Sequence, residues 1–224
     1  MDVISASFHT YGWKESGGVT KKRFFDLIFA SVCVLLGCPI FLLVALLVKL
    51  SSRGPVLYAA KRLGKDKKQI TIYKFRTMHR SAERQLEHLL EDAPAIKKEW
   101  DVFHKLRKDP RCTPIGRVLR KTSLDELPQL FSIIYGTLSL VGPRPHHILE
   151  LQEGDTTSLR KEADKILSVK PGMTGLWQIS GRNCLSYQER VALDCQYVDN
   201  QAFFFDLKLL CKTIPSLLFA KGAF

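Results

Sequence analysis

The chain has 224 residues, which leaves room for one compact domain and a membrane segment but hardly for two full domains. Lys and Arg outnumber Asp and Glu by 34 to 22, so the formal charge of +12 favours anionic partners: nucleic acid, a negative membrane leaflet or phosphorylated substrates. Six cysteines without a C-x-x-C pair argue against a disulfide framework or a zinc cluster and favour a reducing, cytosolic setting. The sequence also lacks the common nucleotide-binding, zinc-protease and nucleic-acid motifs.

The first predicted elements are a mobile arm over residues 1–20 and a membrane helix over residues 21–52. Residues 27–48 form a run of 22 residues without charge. At ~1.5 Å per residue, such a run is long enough to cross a hydrocarbon layer of ~30 Å. A cleaved signal peptide is the alternative, but this run starts late, exceeds the usual ~7–15 apolar residues and lacks a small-residue cleavage motif.

The middle of this run contains a predicted helix break. Pro39, after Gly37 and Cys38, removes one backbone hydrogen bond, and its ring clashes with the preceding turn, so we predict a sharp bend. Basic residues flank both ends, whereas a true crossing has its positive bias on one side. Both ends are therefore predicted to be cytoplasmic. The pattern favours a re-entrant helical hairpin, with a kinked single span as the alternative.

Two short strands follow, over residues 56–58 and 69–75, with a basic turn at residues 64–67 between them. They predict a small β-hairpin. Residues 81–108 predict an amphipathic helical arm that is interrupted at Pro94.

The C-terminal segment, residues 202–224, mixes aromatic and aliphatic residues with three lysines. This composition suits helices in the membrane interface, with ordinary core packing as an equal alternative. The predicted fold class is α+β, mainly helical, with a re-entrant N-terminal membrane helix. One cytoplasmic catalytic domain, over residues 53–224, contains the hairpin and the interfacial C-terminal helices.

The densest group of charged residues lies around Asp125 and Glu126. Ser123 and Glu126 fit a capping box, and Pro128 suits a first helical turn, so we predict that a helix begins near Ser123. Asp125 and Glu126 then lie at its positive end, which favours ionised carboxylates and bound anions.

This arrangement suits attack on phosphorus by Asp125, which would form an acyl phosphate. Because a carboxylate and a diphosphate repel each other, the reaction requires a divalent cation and cationic side chains. Glu126 is the candidate Mg²⁺ ligand. The candidates for binding substrate phosphate are Lys74, Arg76, Arg120 and Arg144. A well-capped structural helix with a solvated basic face remains an equal alternative.

A glycine-rich stretch forms a second candidate site. Glycines let the backbone approach a ligand closely, and this stretch contains Gly172, Gly175 and Gly181. Trp177 and Gln178 lie between the last two of these glycines, and Arg182 follows Gly181. These residues are candidates for contact with nucleotide or sugar, whereas plain structural turns are the alternative.

Motifs along the whole chain resemble those of one known family. They lie at residues 22–26, 54–58, 73–78, 109–111, 123–129, 141–145 and 170–182 and cover about nine-tenths of the chain in order. The chain resembles the bacterial sugar transferases, the monotopic phosphoglycosyl transferases that start glycan assembly on undecaprenyl phosphate.

The resemblance implies specific roles and partners. Asp125 would be the covalent nucleophile that takes a phospho-sugar from a UDP-sugar and releases UMP, and Glu126 would support Mg²⁺. Undecaprenyl phosphate would then accept the hexose 1-phosphate, with galactose or glucose as the hexose, in the first membrane step of exopolysaccharide synthesis. The implied location is the bacterial inner membrane with the catalytic domain on the cytoplasmic face. Membrane lipids are expected partners, nucleic acid is not, and a homodimer is compatible with the sequence.

One departure from the family pattern is Cys38, where members often have a serine before the proline. A thiol is a weaker hydrogen-bond partner for the freed backbone than a hydroxyl. Two rival functions share these residues: a hydrolase that passes the phospho-sugar to water, and a non-catalytic basic scaffold on the membrane.

Overall fold

The structure is a computed structural model, and it describes residues 20–103, 106, 108–146, 157–181 and 185–218. These residues form mainly helices, with two two-stranded sheets, which confirms the predicted α+β class. The chain folds as two compact units. Unit 1 holds the described residues of 1–35, 60–72 and 129–222, and unit 2 holds those of 36–59 and 73–128.

The helices and strands follow one another along the chain in this order. The α-helices are α1 Lys21–Ser51, α2 Ala82–Asp92, α3 Pro94–Phe103, α4 Pro114–Thr122, α5 Gln129–Tyr135, α6 Thr157–Ile166, α7 Leu176–Ser180, α8 Tyr187–Asp199 and α9 Phe203–Leu218. The strands are β1 Leu57–Leu63, β2 Gln69–Phe75, β3 Ser139–Val141 and β4 Gly172–Thr174, and short 3-10 helices cover Lys65–Lys67 and Leu124–Glu126. Strands β1 and β2 form the predicted hairpin, and β3 pairs with β4 in parallel.

Helix α1 is the predicted membrane element. It has 31 residues and a mean hydropathy of 2.8 in its most apolar stretch, and it is long and apolar enough to cross a membrane. Many of its large side chains are exposed, with Leu35 and Leu36 about three-quarters accessible. The helix continues through Pro39, so the predicted break does not divide it into two helices. Pro39 still offers no N–H to the carbonyl of Leu35.

In unit 1, a polar network anchors the first turns of α1. Lys22 forms an ion pair with Asp206 of α9, and the Tyr197 hydroxyl lies 2.8 Å from the same carboxylate. Asp26 accepts a hydrogen bond of 2.7 Å from the Ser139 hydroxyl at the start of β3. All three acidic and phenolic groups are buried. Each therefore has the partner that a buried polar group requires.

In unit 2, the second half of α1 contributes to a small core. Val44 and Val48 pack with Phe75 of β2 and Leu119 of α4, and Phe41 lies against Phe75 with ring centroids 6.1 Å apart. Leu124 and Leu127 also pack against this cluster. These two leucines flank Asp125 and Glu126, so the apolar core fixes the segment that carries both carboxylates.

The predicted capping box at Ser123 does not form, and the helix that begins after Ser123 is a short 3-10 helix, Leu124–Glu126, and not an α-helix. Ser123 adopts a left-handed conformation with φ of 58°, ends α4 as its C-cap, and makes no capping bond with its side chain. The next α-helix begins only at Gln129, after Pro128. The capping-box pattern is a local signal, whereas burial of Leu124 and Leu127 in the core keeps residues 124–126 in a separate 3-10 turn.

The other predicted elements are confirmed or fall outside the described residues. Helices α2 and α3 form the polar arm, with the interruption just before Pro94. Helix α9 covers most of the predicted C-terminal helical segment. The predicted mobile arm, apart from Thr20, and residues 219–224 lie outside the described part.

Candidate active site

The turn Leu124–Glu126 places the two candidate catalytic carboxylates in unit 2. Asp125 is buried, at 9% exposure, and Glu126 is partly exposed. Helix α4, which leads to this turn, starts at a well-formed cap, because the Thr113 hydroxyl accepts a hydrogen bond of 2.9 Å from the Gly116 amide.

Helix α4 packs directly on the chain after β2. A Cβ atom added at Gly116 would lie 2.0 Å from the Thr77 carbonyl oxygen, so no side chain fits there. This close approach brings the Arg120 Nε atom within 3.0 Å of the Thr77 hydroxyl, to which it donates a hydrogen bond. Arg120 is thereby held in the same unit as Asp125.

The electrostatic balance around Asp125 leaves its negative charge incompletely compensated. Burial, and then the neighbouring Glu126 carboxylate, raise the pKa of Asp125 from 3.8 to about 6. Lys74 and Arg120 oppose this rise. In such surroundings, an additional cation would favour the ionised form of the carboxyl group.

Glu126 and Lys74 form an ion pair across the site. The Lys74 Nζ atom donates to Glu126 Oε1 at 2.6 Å, and both side chains are about one-third exposed. Lys74 lies near the end of β2, so the β-hairpin and the 3-10 turn together position this pair. The structure therefore places five predicted site residues in one unit: Lys74, Arg76, Arg120, Asp125 and Glu126.

Arg76 does not face solvent as a phosphate ligand would, because its side chain contacts the backbone of the protein. Its two terminal nitrogens donate to the backbone carbonyls of Arg53 and Ser52, at 2.6 and 2.8 Å. The side chain is buried, at 8% exposure. These bonds hold the turn that follows α1. The phosphate-binding role of Arg76 stays a prediction.

Unit 1 contains the other predicted site residues. The Arg144 guanidinium lies over the Trp177 ring, 4.8 Å from its centroid, and Arg190 lies 5.8 Å from the same centroid. Both distances are within the range of cation–π contacts. Gln178 follows Trp177 on α7, and Arg182 lies outside the described residues.

The Arg144 backbone is supported by a residue that the sequence analysis did not propose for the site. Asp194 of α8 is fully buried and accepts a bond of 3.3 Å from the Arg144 amide, while His146 Nε2 lies 3.2 Å from the same carboxylate. Burial raises the pKa of Asp194. The sequence offers one signal for Asp194: it is an acidic residue at a spacing that places it on the buried face of a helix, between Val191 and Tyr197.

The Asp125–Glu126 pair fits the requirements of Mg²⁺. In the described part of the chain, no group of three or more His, Cys, Asp or Glu side chains converges on one point. Mg²⁺ does not require such a group, since in phosphoryl-transfer sites it is held by one or two carboxylates together with substrate phosphates and water. Because burial and the Glu126 carboxylate raise the pKa of Asp125, a cation beside this pair would favour the ionised form of Asp125.

Comparisons with known proteins identify the family of this chain. The family model for bacterial sugar transferase matches residues 18–220. Exopolysaccharide production protein ExoY of Rhizobium meliloti is 46% identical over 225 aligned positions, covering 98% of this chain and 97% of that protein. Undecaprenyl-phosphate galactose phosphotransferase of Salmonella typhimurium is 41% identical over 91% of this chain and 41% of its own length. UDP-glucose:undecaprenyl-phosphate glucose-1-phosphate transferase of Caulobacter vibrioides is 37% identical over 91% of this chain and 72% of its own length. Because the family model matches a region that includes every described residue, the chain belongs to the bacterial sugar transferase family.

Proposed function

We propose that this protein transfers a hexose 1-phosphate from a UDP-sugar to undecaprenyl phosphate and releases UMP. The observation that carries this proposal is the buried Asp125 carboxyl, which lies in one unit with Glu126, Lys74 and Arg120. The names of the relatives from Salmonella and Caulobacter point to the same donor and acceptor classes, with galactose or glucose as the sugar. The relative named for exopolysaccharide production indicates the kind of polymer that the reaction starts.

The proposed reaction has two steps at one phosphorus atom. A carboxylate oxygen of Asp125 bonds to the phosphorus that carries the sugar, and the bond from this phosphorus to the bridging oxygen breaks, so UMP leaves with the electron pair. A phosphate oxygen of undecaprenyl phosphate then attacks the same phosphorus and displaces the Asp125 carboxylate. With a pKa of about 6, Asp125 is mostly ionised at pH 7 to 8 and can act as the nucleophile.

The neighbouring side chains are proposed to bind and orient the substrate phosphates. Glu126 would hold Mg²⁺, which neutralises charge on the diphosphate when it is bound. Lys74 and Arg120 would contact phosphate oxygens, since both already influence the Asp125 carboxyl. Arg144 is the candidate phosphate ligand in unit 1, and Trp177, Gln178 and Arg182 are candidates for contact with nucleotide or sugar.

Membrane attachment is proposed to occur through α1 and α9. The exposed apolar side chains of α1 require an apolar environment, and the basic residues at both of its ends support a re-entrant helix with both ends cytoplasmic. On α9, Phe204, Leu207 and Ile214 are exposed at helical spacing, which supports contact with the membrane interface. The protein would therefore act on the cytoplasmic face of the bacterial inner membrane.

The test is UMP release from a panel of UDP-sugars by the full chain in nanodiscs with Mg²⁺ and undecaprenyl phosphate. Continuous UMP release that requires the lipid, together with a lipid-linked sugar, is the expected result. Turnover without lipid would instead indicate a hydrolase. No UMP with any donor would favour the non-catalytic scaffold.

A further inference from the structure

A basic pocket follows the C-terminal end of α1 in unit 2. Its cavity of about 570 Å³ is lined by Ser52, Arg53, His79, Arg80, Ser81, Glu83 and Arg84. Three arginines against one glutamate give the lining a net positive charge at neutral pH. None of these residues has a role in the proposed reaction.

The three arginines have no anionic partner among the residues that the structure describes. In the part of the chain that the structure describes, the guanidinium groups of Arg53, Arg80 and Arg84 form no hydrogen bond or ion pair. Three like charges around one cavity repel each other, and an anion in the cavity would relieve this repulsion. Guanidinium groups bind phosphate oxygens in a bidentate manner, so a phosphate is the anion that this lining suits best.

One wall of the pocket is held in place by Arg76. This buried side chain donates to the carbonyls of Ser52 and Arg53, and so fixes the turn that carries Arg53. Gly54 completes the turn with φ of 136°, where a Cβ atom would lie 2.2 Å from the Arg76 guanidinium. These contacts hold the backbone of the turn from which Arg53 lines the pocket.

The opposite wall is the start of α2. The His79 amide donates to the Arg111 carbonyl at 2.9 Å, which fixes the chain just before the helix. Ser81 stands at the N-cap but makes no capping bond with its side chain. The first amides of α2 therefore add positive potential to that of the arginines.

We propose that this pocket binds the phosphate of an anionic phospholipid headgroup from the bilayer. The apolar helix α1 ends at Ser51, and the pocket lining begins at the next residue. If α1 lies in the membrane as proposed above, the pocket lies at the level of the headgroups, where anionic lipids attract basic residues. A bound headgroup would fix the depth at which α1 leaves the hydrocarbon layer.

The test uses the full chain in a non-ionic detergent, titrated with dioctanoyl phosphatidylglycerol or dioctanoyl phosphatidylcholine while Tm is measured. A ligand that binds only the folded state raises Tm, by about 5–10 °C for a chain of this size when its concentration is a hundred times its Kd. We expect this rise with phosphatidylglycerol, and not with phosphatidylcholine or inorganic phosphate. The triple variant R53Q/R80Q/R84Q should lose the rise in Tm completely, and the single variant R80Q should lose part of it.

The matched control is K68Q/K97Q/K98Q, which removes three exposed positive charges elsewhere and should keep the rise. Equal rises in wild type and in both pocket variants would overturn the proposal, as would an equal rise with inorganic phosphate. A higher KM for undecaprenyl phosphate in the variants, with an unchanged response to phosphatidylglycerol, would also overturn it. The UMP assay is independent of these readouts: its failure would contradict the proposed reaction and leave the lipid-dependent Tm intact.

Discussion

Asp125 combines a buried position with the negative charge that the proposed reaction requires. Its surroundings disfavour the ionised form, because burial and the Glu126 carboxylate together outweigh the nearby Lys74 and Arg120. The folded state therefore binds a proton more tightly than the unfolded state does. Ionisation of Asp125 lowers the free energy of unfolding as pH rises from about 4 to about 6, and the loss persists at higher pH. Stability is thus lower at the pH where the nucleophile is active.

Asp125→Asn should therefore abolish UMP release and raise Tm at pH 7.5 in buffer with EDTA. The difference between a pKa of 3.8 and one of about 6 corresponds to on the order of 3 kcal/mol. Each kcal/mol recovered shifts Tm by about 2–4 °C for a chain of this length. The control is Asp92→Asn on the exposed end of α2, which should change neither property. A lower Tm for Asp125→Asn, or its release from the membrane, would mean that the carboxylate is structural.

Glu126 is expected to act through the metal and through Lys74. Glu126→Gln removes the negative charge that is proposed to attract Mg²⁺ and that pairs with Lys74 at 2.6 Å. We expect lower turnover and a rise of about tenfold or more in the Mg²⁺ concentration that gives half-maximal UMP release, since the loss of a charged ligand weakens Mg²⁺ binding. Glu91→Gln, on the exposed end of α2, is the matched control. An unchanged Mg²⁺ dependence would contradict the assignment of Glu126 as metal ligand.

At the level of elements, the sequence predicts correctly the helices and strands that are marked by patterns of neighbouring residues. Alternation and turn residues revealed the β1–β2 hairpin, and Pro94 marked the boundary between α2 and α3. The prediction failed at Ser123, because a capping-box pattern gives no information about the core into which Leu124 and Leu127 pack. Carboxylates and guanidinium groups were recognisable as candidates by residue type. Their partners, such as Asp194 for the Arg144 backbone, are about 50 residues away in sequence and required the structure.

The packing of α4 on residue 77 provides a test at this level. Gly116→Ala places a Cβ atom 2.0 Å from the Thr77 carbonyl, so we expect a loss of about 1–3 kcal/mol and lower turnover because Arg120 and Asp125 shift. Gly37→Ala is the matched control, since its nearest neighbour is 3.4 Å away and alanine favours a helix by about 0.5–1 kcal/mol. Thermal unfolding in detergent measures the stability of both variants. Equal Tm values for the two variants would contradict the close packing of α4.

At the level of the whole molecule, the proposed topology follows from the basic residues that flank α1. A re-entrant helix keeps both termini in the cytoplasm, whereas a single span exports one of them. Epitope tags at both termini should therefore resist protease added to intact spheroplasts, with a periplasmic domain of another membrane protein as the cleaved control. Pro39→Leu restores the missing backbone bond and should favour a straight span. Cleavage of the N-terminal tag in the wild-type protein would show that α1 crosses the membrane.

The proposed covalent intermediate on Asp125 links the site to the reaction, and mass spectrometry can detect it. The wild-type chain is incubated with Mg²⁺ and the preferred UDP-sugar, without undecaprenyl phosphate, and quenched in acid. We expect a mass increase of one hexose phosphate on the peptide that contains Asp125, no such increase in Asp125→Asn, and its loss on addition of undecaprenyl phosphate. UMP release that always requires the lipid, with no adduct on any peptide, would contradict the two-step mechanism and indicate direct transfer between the substrates.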